Sequence, residues 1–258
     1  MKHESAGLYR SETPLSSRES RAFEVRGSSF RGDPVLLNFE HSTLNLLVSP
    51  ADVLATTIEA RQLSKAFAGP PLFSGLSFEA GAGLLAVKGR NGSGKTTLLK
   101  ILASLAHPSA GSVSVRQGEE ELSGDRRRLA VGWSGPDLAF YEDFSAPENL
   151  LFLSRAGGRP RSAEDLKSRL AEVGLAGATE KRVGAFSTGM KQRLKIAFAL
   201  LFDPPVLLLD EPMIGLDTDG RSIVERVVEA RRREGLVILA SNDPRDFVRP
   251  DQVVELGR

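Results

Sequence analysis

The sequence predicts an α/β fold with a mainly parallel sheet, on three observations. Short apolar runs bounded by Gly and Pro alternate with segments of helical periodicity. One such run, Leu84-Leu85-Ala86-Val87, passes through a glycine-punctuated loop straight into an apolar helical stretch. Another, Val206-Leu207-Leu208-Leu209, ends in the acid pair Asp210-Glu211. Strands that alternate with helices pair in parallel and take ligands at the carboxyl edge of their sheet.

Composition narrows the class. The chain has 258 residues, enough for one large or two modest domains with a sizeable core. Lys and Arg (34) nearly balance Asp and Glu (33), so no overall field favours nucleic acid, and no nucleic-acid partner is expected. Without cysteine there is no disulfide framework, thiolate nucleophile or cysteine metal site. No apolar run approaches the roughly twenty residues of a membrane span. The start, MKHESAGLYR, lacks the apolar core of a secretory signal. The expectation is a soluble intracellular protein.

Taken in order, residues 1–56 read as a disordered N-terminal extension, rich in Ser, Arg and Glu as far as Pro34. Apolar clusters at Val35-Leu36-Leu37 and Leu44 to Val48 leave a docking arm as the alternative. A natural start near Val53 or Leu54 is a further expectation, since the recognisable domain opens at about Thr57. Strands are expected at 58–63 and 72–78 around the turn Ala68-Gly69-Pro70-Pro71, then at 84–87, 113–116 and 129–133. A helix over 146–156 carries Pro147 in its first turn. Another over 162–173 opens on a Ser162/Asp165 capping box. A helix over 190–202, a strand at 206–209, a charged helix over 222–234 and strands at 236–240 and 251–256 complete the chain. His107 is expected to end the helix that follows the glycine loop.

The loop reads Gly89-Arg90-Asn91-Gly92-Ser93-Gly94-Lys95-Thr96, with Thr97 next, and matches G-x-x-x-x-G-K-[ST]. The plainer alternative is a glycine-rich turn before an ordinary helix. Strand before and helix behind make it a phosphate site, with backbone N–H groups and the helix N-terminus turned to a polyanion. Lys95 is placed to reach the β- and γ-phosphates, and the Thr96 hydroxyl to ligate Mg²⁺. Buried acids at a strand end need a cation or donors. Asp210 is suited to hold Mg²⁺ through water, and Glu211 to polarise a water for attack on phosphorus. The plainer alternative is a strand followed by an acidic turn. Ser187-Thr188-Gly189, ahead of a helix, is by itself a good N-cap.

Together the three motifs resemble the ATP-binding cassette (ABC) family, whose signature is usually written LSGGQ. Phe67 sits where that family stacks an aromatic on adenine, Gly215-Leu216-Asp217 resembles its D-loop, and Pro147-Glu148-Asn149-Leu150 matches the opening of its helical subdomain. The resemblance spans about 57–257, with motifs in family order. It implies a P-loop NTPase of ABC type: a mainly parallel sheet core, an antiparallel β subdomain and a helical subdomain at about 136–182, all within 57–258. It implies ATP and Mg²⁺ as ligands, Glu211 and Asn242 at the catalytic positions, and Thr96 and Asp210 at the metal. Phe67, Gly89 to Thr97, Ser187, Thr188 and Gly189 would contact nucleotide. It also implies two partners: a second ATP-binding domain, because the signature of one copy completes the site of another, and a membrane-spanning subunit on a separate chain. Placement is then at the inner face of the cell membrane. STGMKQRLKIA and GLSF resemble bacterial export-type cassettes, including the haem-exporter subunits of cytochrome c maturation.

The pattern departs at two places. Asn242 stands where the family usually carries a histidine, and a neutral amide cannot become cationic. Pro136 falls where a glutamine is usual, with Ser134 and Asp137 beside it. Hydrolysis slowed about tenfold is the expectation, from the weaker neutral hydrogen bond. Two alternatives stay open: a catalytically weak regulatory subunit, and a soluble non-transport ABC ATPase.

Overall fold

The computed structural model describes residues 56–257; the expectations for the N-terminal extension and for a later natural start fall on residues outside these. Five strands form one parallel sheet: β3 (Gly83–Gly89), β6 (Val131–Ser134), β7 (Val206–Asp210), β8 (Leu236–Ser241) and β9 (Gln252–Leu256). Their order is β6-β7-β8-β3-β9, and every neighbouring pair is parallel. A second, antiparallel sheet has the order β2-β1-β4-β5, from β1 (Thr56–Lys65), β2 (Phe73–Ala80), β4 (Ala110–Gln117) and β5 (Glu120–Glu121).

Both faces of the parallel sheet are covered, which is why β7 and β8 are buried along their whole length and read as unbroken apolar runs. The period of two sorts their side chains. Leu207, Leu209, Val237, Leu239 and Leu84 face one core, shared with helices α3 (Ala146–Ala156), α4 (Ala163–Glu172), α5 (Thr188–Ala199) and α6 (Thr218–Glu234). Val206, Leu208, Ile238, Leu85 and Val87 face the other. That second core holds Leu98, Leu99 and Leu102 of helix α1 (Lys95–Leu102), and Ile58, Leu63 and Val115 of the antiparallel sheet. Register brings the carboxyl ends level: Asp210 pairs with Ala240, and Ala240 with Val87.

Most expected elements appear, with shifted ends. The strand expected at 129–133 starts only at Val131, because Leu129 and Ala130 close a short helix, α2 (Gly124–Ala130). Its Gly-Asp-Arg-Arg-Arg-Leu-Ala sequence carries no apolar periodicity. Helix α1 stops at Leu102, short of His107: Ser104 turns left-handed (φ +60°) and the Leu105 N–H closes on the Lys100 carbonyl. Helix α3 opens on a full capping box between Ser145 and Glu148, with Pro147 in its first turn, and α4 on the expected Ser162/Asp165 box. Asn149, fully buried, accepts from the Tyr141 N–H (2.8 Å) and donates to the Tyr141 and Ser145 carbonyls (3.0 Å each). It thereby ties the preceding loop onto α3.

Gly132, mid-strand in β6, shows how closely α5 lies on the sheet. A Cβ there would run into the Ala199 carbonyl and come within 2.6 Å of Pro204 Cγ, whereas at Gly177 it would meet open space. Gly132→Ala is expected to destabilise the chain by about 3 kcal/mol and Gly177→Ala by under about 1 kcal/mol, read as the difference in urea unfolding free energy.

Candidate functional site

Strand β3 delivers the loop. At Gly89 (φ +159°) a side chain would strike Ser93 and come within 2.9 Å of the Leu256 carbonyl, so only glycine allows the loop to double back here. Gly94, at φ +98°, caps α1 without any side-chain acceptor, and the first turn of α1 holds no acid. Its leading N–H groups are therefore available to an anion, with the positive end of the helix dipole behind them. Lys95, 6% exposed, folds its ammonium onto the Gly89 carbonyl (2.8 Å) and the Arg90 carbonyl (3.4 Å), 3.6 Å from Glu211 Oε1. Thr96 and Thr97 follow in the first turn of α1.

Asp210 ends β7 at 3% exposure, and neither of its carboxylate oxygens closes a hydrogen bond. Burial pushes this carboxyl above its usual range; the nearby Thr96 hydroxyl opposes the shift, and the Glu211 charge adds to it. A buried acid left this way is costly. Two hard oxygen donors, Asp210 and Thr96, at the mouth of a phosphate loop suit a divalent cation that takes its other oxygens from phosphate and water. Among the described residues no group of three or more His, Asp or Glu side chains could hold a metal unaided.

Glu211 is a non-glycine residue with left-handed backbone, φ +49°, a conformation that costs about 1 kcal/mol. Its N–H bonds the Ala240 carbonyl (2.8 Å), and its own carbonyl accepts from Gln192 Nε2 of α5 (3.2 Å). The carboxylate is held from the end of β8: Oε2 lies 3.0 Å from Ser241 Oγ, and Oε1 accepts from the Asn242 N–H at 3.1 Å. Asn242 donates one of its two side-chain N–H groups to Asn91 of the loop, Nδ2 to Oδ1, at 2.8 Å. Loop, Asp210, Glu211 and Asn242 thus form one cluster at the carboxyl ends of β3, β7 and β8.

The remaining expected residues have other partners. Ser187 caps α5, its Oγ accepting from the Met190 N–H at 3.2 Å, and Thr188 is already the first helical residue. Thr188 and Gly189 pack on the Gly215-Leu216 turn. Phe67 stands 64% exposed, with the Lys65 ammonium 5.0 Å from its ring centre. In the segment where the family usually carries a glutamine, the Pro136 carbonyl accepts from Lys195 Nζ (3.1 Å), and Asp137 pairs with Lys100. Sequence reasoning missed Ser241 and Gln192, which touch Glu211 directly, and Asp246 and Arg221, which lie one and two contacts further out; only the adjacency of Ser241 to Asn242 pointed to them.

Among the described residues no helix is long and apolar enough to cross a membrane. Comparison with known proteins agrees with this geometry. A family model described as ABC transporter matches residues 73–214. Over 190 residues the chain is 37% identical to the cytochrome c biogenesis ATP-binding export protein CcmA of Xanthomonas axonopodis pv. citri, a match that covers 73% of this chain and 87% of that protein. Two solved structures share the fold. A putative ABC transporter ATP-binding protein from Pyrococcus furiosus has a TM-score of 0.66 at 20% identity, covering 78% of this chain and 97% of that one. A bacterial Atm1-family ABC exporter with ATP bound has a TM-score of 0.67 at 21% identity, covering 79% of this chain and 37% of that one. With its phosphate loop, acid pair and signature segment in the order and setting that the family requires, this chain belongs to the ABC transporter family, as an ATP-binding subunit whose ATP hydrolysis drives transport.

Proposed function

We propose that the chain binds Mg–ATP on the 89–97 loop, hydrolyses it with Glu211 as general base, and works through a second ATP-binding domain and separate membrane-spanning subunits in an export system of cytochrome c biogenesis. The observation that carries this reading is the convergence of Lys95, Asp210 and Glu211 at the carboxyl ends of β3 and β7. The loop N–H groups and Lys95 bind the phosphates, Lys95 leaving the carbonyls it now touches for the incoming anion. Thr96 and Asp210 would hold Mg²⁺, which when bound neutralises phosphate charge and polarises the γ-phosphoryl group. Glu211, fixed by the Asn242 N–H and Ser241, orients a water and takes its proton. Phe67, largely exposed, offers a stacking surface for the base.

The N-terminus of α5, with Ser187, Thr188 and Gly189, offers hydroxyl and N–H groups to a γ-phosphate. It sits on the Gly215-Leu216 turn rather than on the chain's own phosphate loop. A second domain supplying this segment in trans meets the need, and closure of the pair then depends on the γ-phosphate. The cytochrome c link rests on the relatives' names and their 37% identity. Peripheral attachment at the inner membrane face follows from a membrane-spanning partner. A second reading, a catalytically weak regulatory subunit, is favoured by one feature: Asn242 is a neutral amide, and one of its two side-chain N–H groups is engaged by Asn91.

Three outcomes are expected. Glu211→Gln should keep Mg–ATP affinity and lose at least about a hundredfold in phosphate release, while Asn242→His should raise release about tenfold; unchanged rates for both would favour the regulatory reading. Asp210→Asn removes a buried, unpaired charge, so the nucleotide-free chain should gain about 1 kcal/mol in unfolding free energy while losing the Mg²⁺-dependent part of its thermal stabilisation by ATP. Affinity purification of the full chain from its own membranes should retain a polytopic membrane protein, and deleting its gene should abolish covalent haem attachment to c-type cytochromes; intact cytochromes would refute the assigned pathway.

A further inference from the structure

Glu211 leaves β7 with a left-handed backbone, φ +49°, and the residue after it is Pro212. A proline pushes the residue before it toward extended backbone, with φ near about −120°. Residues that carry a side chain also resist the left-handed region. Glu211 keeps this conformation because the peptide groups on either side of it are held. On one side its N–H donates to the Ala240 carbonyl of β8 at 2.8 Å. On the other, its carbonyl accepts from the Ile214 N–H at 3.3 Å, within the same turn, and from Gln192 Nε2 at 3.2 Å. Gln192 is the donor that comes from a separate element, α5. A carbonyl oxygen only accepts, so the Gln192 amide must present its nitrogen here. Four residues earlier on the same face of α5 stands Thr188, and Thr188 and Gly189 lie against the Gly215-Leu216 turn. The segment 211–216 thus rests on the first two turns of α5.

We propose that Gln192 is a positioning residue for ATP hydrolysis: by holding the Glu211 carbonyl it fixes the left-handed backbone that aims the Glu211 carboxylate. The inference rests on the reading of Glu211 as the base. The Cβ and the carbonyl carbon of a residue turn together about its N–Cα bond. A carbonyl released by Gln192 lets φ relax away from +49°, and the side chain swings with it. The bond from the Glu211 N–H to Ala240 does not prevent this, because it holds the N–Cα axis and not the rotation about it. The Ile214 N–H is a weaker hold: its 3.3 Å lies just beyond the usual range of about 2.7–3.2 Å, and it belongs to the turn that would move. As the side chain swings, Oε1 leaves the Asn242 N–H that it now meets at 3.1 Å. A base displaced by about an ångström loses up to about a hundredfold in rate while the phosphate loop still binds nucleotide.

The test uses the complex purified through the full-length chain. Phosphate release at saturating Mg–ATP, Mg–ATP affinity and amide hydrogen exchange are measured for wild type, Gln192→Met, Gln192→Asn and Glu211→Gln. Methionine matches glutamine in length but has no N–H, and the asparagine amide stops one methylene short of the Glu211 carbonyl. Each Gln192 variant is expected to lower kcat about tenfold, with affinity within about twofold of wild type. Exchange should quicken at least about fivefold at the Glu211 and Ile214 amides and stay unchanged along β7 and the rest of α5. Wild-type kcat in either Gln192 variant would overturn the inference. So would a fall in affinity that matches the fall in rate, or exchange that quickens evenly through β7 and α5, which would mark a packing role alone. Should Gln192→Met fail to fold, the smaller Gln192→Asn decides by the same measurements. If Glu211→Gln hydrolyses at the wild-type rate, the reading of Glu211 fails and this inference falls with it; silent Gln192 variants beside an inactive Glu211→Gln sink this inference only.

Discussion

Everything at this site hangs on the burial of acidic groups at the end of a strand covered on both faces. β7 delivers Asp210 and Glu211 to the carboxyl edge of the sheet, Asp210 buried at 3% exposure and Glu211 partly buried. The two carboxylates meet opposite solutions. Glu211 is braced by protein donors and by Lys95. Asp210 has no hydrogen-bond partner of its own, and burial raises its proton affinity. A buried acid of this kind suits a divalent cation, which is the role proposed for Asp210. Local strain at Glu211, a left-handed backbone at a non-glycine residue, belongs to the same bargain between stability and chemistry.

The parallel sheet was legible because its buried strands read as unbroken apolar runs, α3 because Pro147 marks its first turn, and α4 because its capping box is written in the sequence. The phosphate loop and acid pair were legible because each is contiguous and sits beside a strand. Helix α2 was not, since its three consecutive arginines mask any periodicity and tertiary contacts decide its form. The braces on Glu211 were hidden for another reason. Gln192, Arg221, Ser241 and Asp246 come from α5, α6, β8 and the turn after β8, and tertiary packing at the level ends of β7 and β8 brings them to one place. Contacts that depend on register leave no local pattern to find.

Asn242 illustrates the limit of reading roles from positions. Its place in the chain predicts a side chain turned to the γ-phosphate, yet its amide nitrogen bonds Asn91 at 2.8 Å, while its backbone N–H serves Glu211. One residue therefore links the loop that grips nucleotide to the carboxylate assigned to activate water. A substitution that weakens one function of a position can strengthen another.

The Asn242–Asn91 bridge joins two uncharged amides, and among the described residues the sole imidazole, that of His107, lies elsewhere, in the segment after α1 whose carbonyl receives Lys65. Neither side of the bridge gains or loses a proton near neutrality, and dissolved ions screen it little. A link of this kind keeps its strength through acid stress or osmotic shock, conditions under which an imidazole in the same position would alternate between two charge states.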